Sequence, residues 1–120
     1  MRKFIVNDVI YHQSFDFLYD CDHKTFSKYL HKRHGKNKDW DDNNGAVGKY
    51  VRVSDKDGKE WMYLWMNKMT FKISDVGNLV HELKHLTDDV MEQVGIKEDW
   101  EPSAYYMEYI FETIMNKIKK

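Results

Sequence analysis

The sequence predicts an α+β fold: a small, mostly antiparallel sheet, one short helix, and two long C-terminal helices. Three observations predict it. Residues 1–73 hold short Phe-, Val- and Tyr-rich runs with a period of two, residues 74–120 carry apolar positions at helical spacing, and Gly or Asp clusters mark the boundaries. The chain has 120 residues, of which 42% are hydrophobic and 15% aromatic, enough for the core of a single domain.

The elements follow in order. KFIVNDVIYHQSFDFLY, residues 3–19, reads as one bent strand or two short ones, with Phe15, Phe17 and Tyr19 alternating with Asp16 and Leu18. DHKTFSKYLHKRHG reads as a short helix: Phe26, Tyr29 and Leu30 share a face, basic residues fill the last turn, and Gly35 ends it. KNKDWDDNNG is a polar loop. From Ala46 a hairpin is expected, with Tyr50, Val51 and Val53 on its first strand, Gly58 in the turn, and Trp61 to Met66 as its second strand. The first long helix should run from about Asp75 to Val94, capped by Ser74 or Asp75 and ended by Gly95. The second should run from about Asp99 to Ile118, with Asp99 as cap and Pro102 tolerated in the first turn.

Charge is unevenly spread. The net charge of −1 offers no general attraction to nucleic acid or to an anionic membrane, so neither is expected as a partner. Residues 74–120 hold five Lys/Arg against ten Asp/Glu, a setting that favours a bound cation. No apolar run approaches a membrane span, no secretory signal is read, and the single Cys21 allows no internal disulfide. These features point to the cytoplasm.

The acidic segment contains HELKH, residues 81–85. On a helix, Val76, Leu79, Val80, Leu83, Thr87, Val90 and Val94 form one stripe, expected to face the sheet. His81, His85, Asp88 and Glu92 fall on the opposite side. The two histidines lie one turn apart and can converge on one ion. Glu82 projects beside them, within reach of a water that the ion activates. The chance expectation of this pattern in such a composition is on the order of 0.02 per chain, so the match carries weight.

Without a Cys-rich site, zinc here would need His, Asp or Glu, and a catalytic zinc usually holds three protein ligands and one open position. The next helix offers Glu101, Glu108 and Glu112. For a straight antiparallel pair, Glu108 comes closest to His85; an earlier end or a steep crossing favours Glu101.

The HELKH segment and Glu101-Pro102-Ser103-Ala104-Tyr105 together resemble the zincin metallopeptidases, most closely the small gluzincin-like proteins encoded by phages and prophages, with a weaker likeness to the ImmA/IrrE peptidases. The resemblance spans about residues 60–118. It implies a zinc-dependent peptidase with His81, His85 and Glu101 as ligands, Glu82 as general base, and a peptide or protein substrate. The location it implies is the host cytoplasm for a phage-encoded chain. Asp88 matches the acid that often follows this motif and would hold the free N–H of His85. Pro102 departs from the pattern. The same scaffold is also compatible with a catalytically silent binding or host-interaction protein.

Tyr105, Tyr106 and Tyr109 are candidate oxyanion donors, although aromatic spacing of this kind more often marks core. The resemblance also implies that Trp61–Met66 borders the cleft and pairs with an extended peptide, beside its plainer reading as the best core strand of the chain. His31 and His34 form a second histidine pair, weighed lower as a metal site than as a solvated basic helix end.

Overall fold

The computed structural model describes residues 1–43, 45–96 and 100–119, with the backbone alone for residue 100. It has the expected α+β architecture. Strands β1 (Arg2–Asn7), β2 (Ser14–Tyr19), β3 (Gly48–Ser54) and β4 (Glu60–Met66) form a sheet in the order β1-β2-β4-β3. The pairs β1–β2 and β3–β4 are antiparallel, and β2–β4 is parallel. Helix α1 (His23–His34) covers one face, and α2 (Ile73–Gln93) with α3 (Trp100–Lys119) covers the other.

Residues 3–19 form two strands, not one bent strand, because Asp8 ends the first. Its buried carboxylate accepts the N–H of Ile10 at 2.6 Å and of Tyr11 at 3.3 Å. Alternation then sorts the side chains. Phe15, Phe17, Tyr19, Met62, Leu64 and Met66 meet α2 and α3, while Leu18, Val53, Tyr63 and Trp65 meet Phe26 and Leu30 of α1. Asp22 caps α1 by accepting the Thr25 N–H at 2.8 Å, and Gly35 ends it at φ 92°. The polar loop contains a short 3-10 helix, Lys38–Asp41. Gly58 has φ 81° in the hairpin turn, as its position requires.

Three expectations need correction. Helix α2 begins earlier than Ser74 or Asp75: its N-cap is Lys72, which makes no side-chain cap bond. Thr70 organises this end instead. Its hydroxyl donates to the Asp75 carboxylate and accepts the Lys72 N–H at 3.1 Å. Second, the buried set on α2 is Leu79, Glu82, Leu83, Leu86, Thr87, Val90 and Met91, with Val80 39% exposed. That is the expected stripe rotated by roughly 30° toward Glu82, because α2 leans onto the edge strand β3. Third, Trp61–Met66 is an interior strand. Its residues Tyr63–Met66 pair with both β2 and β3, leaving no free edge for a peptide. The edge beside α2 belongs to β3.

Helix α3 packs toward the other edge of the sheet. Tyr106 meets Tyr11 with ring centroids 5.3 Å apart, and Lys117 sits 5.1 Å over the Phe4 ring. The expected Asp99 cap lies outside the described residues. Among the described residues, no helix is long and apolar enough to cross a membrane.

Candidate metal centre

Helix α2 places the three chemistry-bearing residues of HELKH together. His81 and His85 are exposed, with ring centroids 4.9 Å apart and ring planes near perpendicular at 83°. Glu82 is only 9% exposed, since the rotation of α2 turns it toward β3. One ligand atom from each of the three lies within 4.8 Å of the others. No other described His, Cys, Asp or Glu joins this group.

Two imidazoles one helical turn apart are donors that zinc accepts, and the Glu82 carboxylate lies beside them. Ligand atoms on one tetrahedral zinc stand roughly 3.3 Å apart, given bonds near 2 Å. Both histidines are exposed, and the group could hold a metal ion.

Glu82 and His85 also line an open cavity of about 530 Å³, together with Asp89 of α2 and Lys49, Tyr50 and Arg52 of β3. The strand wall carries donors and the helix wall carries acceptors. The Tyr50 hydroxyl donates to Asp89 Oδ2, and Arg52 Nε donates to the same oxygen at 2.6 Å. Arg52 also donates through Nη1 to Glu60 and through Nη2 to Met62 Sδ at 3.4 Å. Burial alone would raise the Asp89 pKa, but the bonds from Tyr50 and Arg52 outweigh it and hold the carboxyl below its ordinary value. Burial, reinforced by the Asp89 carboxylate, pushes the Tyr50 phenol well above its ordinary value, so it stays protonated.

The other expected residues lie elsewhere. Glu101 is exposed at the start of α3, and Glu108 and Glu112 are exposed further along it; none belongs to the cluster. Asp88 accepts from Lys84 Nζ at 2.5 Å and makes no hydrogen bond with His85 among the described residues. Tyr106 is core, Tyr109 packs against the core and Tyr105 is 66% exposed; none of them lines the cavity. His31 and His34 do not converge on a site. His31 bonds Asp41 at 2.8 Å and the Asn37 N–H at 3.2 Å, while His34 bonds the Tyr63 hydroxyl at 2.6 Å. Burial raises the Cys21 thiol, which makes it a poor nucleophile.

Sequence reasoning missed Asp89, Tyr50 and Arg52. A signal existed: Asp89 follows His85 by one helical turn, and Tyr50 and Arg52 share one face of their strand. What was missing was the pairing of that face with α2. Comparison with protein-family models, with curated proteins and with solved structures returned no match.

Proposed function

We propose that this chain is a zinc-dependent peptidase in which His81 and His85 hold the ion and Glu82 is the general base. The observation that carries this reading is the convergence of His81, Glu82 and His85 within 4.8 Å, with Glu82 and His85 lining an open cavity. When bound, zinc supplies a Lewis acid that polarises a carbonyl and acidifies water. The chain's own residues do the rest. Neutral imidazoles present lone pairs from one helix turn. Glu82, on the shielded side of α2, would take a proton from attacking water and return it to the leaving amine. Glu101, named by the zincin resemblance, is the proposed third ligand.

That Glu101 stands outside the cluster favours a second reading, in which the chain binds metal or a partner protein without cutting it. Metal analysis of untagged protein and a Glu82→Gln variant separate the two. Near-stoichiometric zinc that is lost in His81→Ala, with peptide cleavage lost in Glu82→Gln while zinc stays, supports the peptidase. Zinc without cleavage across a broad peptide library supports the binder, and no zinc uptake overturns both metal readings.

A further inference from the structure

We infer that Tyr50 is the hydroxyl that contacts the reacting carbonyl oxygen of the substrate, and that Asp89 and Arg52 are positioning residues that present it. This rests on the peptidase reading and adds to it the donor that a developing oxyanion requires. Within the cavity, Glu82, His85 and Asp89 present acceptors or ligand atoms from the helix wall. The donors stand opposite, on β3. Of these, the Arg52 guanidinium is held by Asp89, Glu60 and Met62, and Lys49 Nζ donates to the Asp42 carbonyl at 2.8 Å. Tyr50 is the neutral donor among them, with its single hydroxyl proton given to Asp89 in this structure.

Its ring is anchored against the main core, which fixes where the hydroxyl can reach. Its hydroxyl bonds Asp89 Oδ2, the oxygen that Arg52 Nε also holds at 2.6 Å. This sharing matters. When the Tyr50 hydroxyl turns to a substrate oxygen, Asp89 keeps the charge-assisted bond from Arg52 and is not left as an unpaired, half-buried carboxylate. The exchange gives up a charge-assisted bond and is matched only by an acceptor that is itself charged, as a developing oxyanion is, and the donor already lines the cavity with Glu82 and His85.

The test compares wild type, Tyr50→Phe and Asp89→Asn, each loaded with zinc, by calorimetric titration with a phosphinic peptide whose anionic oxygens mimic the tetrahedral state. Zinc affinity and thermal unfolding of the metal-free proteins are measured alongside. Tyr50→Phe should weaken phosphinic-peptide binding by about 100-fold, the range for loss of one oxyanion donor, with zinc affinity unchanged. It should lower kcat with little change in KM. Asp89→Asn should give a smaller loss in the same parameter. Equal binding of the phosphinic peptide by wild type and Tyr50→Phe would overturn the assignment of Tyr50 and leave the peptidase reading intact. Loss of zinc binding or of the fold in Tyr50→Phe would make it structural and also overturn it. Wild-type protein that takes up zinc but neither binds the phosphinic peptide nor cleaves would remove both.

Discussion

Gly48 lies directly against Glu82: a β-carbon at Gly48 would stand 3.0 Å from Glu82 Cγ. It would also stand 2.7 Å from Met66 Sδ, and Met66 is buried at 1% exposure. The glycine is thus required by space, not by backbone conformation. It allows the first residue of β3 to approach α2 closely enough to shield the glutamate of HELKH.

Gly48→Ala should therefore strain the α2–β3 contact. Overpacking of this kind costs about 1–3 kcal/mol. Urea unfolding of the metal-free protein should show a lower midpoint with an unchanged slope. Because the displaced atoms include the Glu82 side chain, cleavage should fall more than zinc affinity, which depends on the exposed histidines. An unchanged midpoint would mean that α2 shifts freely, and that Gly48 does not set the position of Glu82.

A ligand scan tests the metal centre residue by residue. His81→Ala and His85→Ala should each weaken zinc binding by at least about 100-fold, since each removes one of the few proposed ligands. Asp88→Ala should change it by less than about tenfold, below the effect typical of a residue that orients a ligand histidine, because its carboxylate is held by Lys84. Glu101→Ala, which removes the proposed third ligand, should weaken binding as much as either histidine variant, and a much smaller loss would show that Glu101 stays outside the cluster when the ion is bound. Parity with the histidines in a competitive chelator titration would show that the start of α3 reaches the ion.

The general plan of the molecule was readable in the chain because its signals are local. Asp22 and Gly35 bracket α1, Gly58 turns the hairpin, and apolar alternation separates the two faces of the sheet. HELKH was readable for the same reason, as one helical turn brings His81 and His85 together. What escaped was set by packing between distant elements. The roughly 30° rotation of α2 that buries Glu82 follows from its contact with β3. The Tyr50–Asp89–Arg52 network joins residues 37 to 39 positions apart. The interior place of β4 depends on its parallel pairing with β2, which no local pattern announces.

The Arg52–Asp89 pair should be coupled energetically. The two side chains are 17% and 22% exposed and share further bonds with Glu60 and Tyr50. Removing one partner strands the other, so Asp89→Ala should destabilise the fold by about 1–3 kcal/mol. In a double-mutant cycle with Arg52→Ala, the interaction energy should fall at about 0.5–3 kcal/mol. The folded Asp89 pKa is depressed, so this contribution is present above the ordinary carboxylate range, near 3.8, and is lost as pH falls through the lower folded value. Additive single-mutant effects would show that Asp89 is held by Tyr50 alone.

His23 should make the fold acid-sensitive in a higher pH window. Its ring lies 5.3 Å from the Trp65 ring and 6.3 Å from that of Phe26, and its buried Nε2 has no hydrogen-bond partner among the described residues. Desolvation lowers its pKa, and the Lys49 charge adds to this, against the opposing pull of Asp41, Asp22 and Asp42. A folded pKa below the ordinary value of 6.5 means that the folded state binds the proton less readily than the unfolded chain. The contribution of neutral His23 is therefore fully present above that value and is lost as pH falls through the folded one. His34, lowered mainly by desolvation and then by Arg33, acts in the same direction. The wild-type melting temperature should decline as pH falls from 7.5 to 5, roughly the range over which a lowered histidine titrates. His23→Phe keeps an aromatic ring against the stacked Trp65 and Phe26 and removes the titrating nitrogen. Its melting temperature should fall less over the same range, and a decline as steep as that of wild type would show that the proton goes elsewhere.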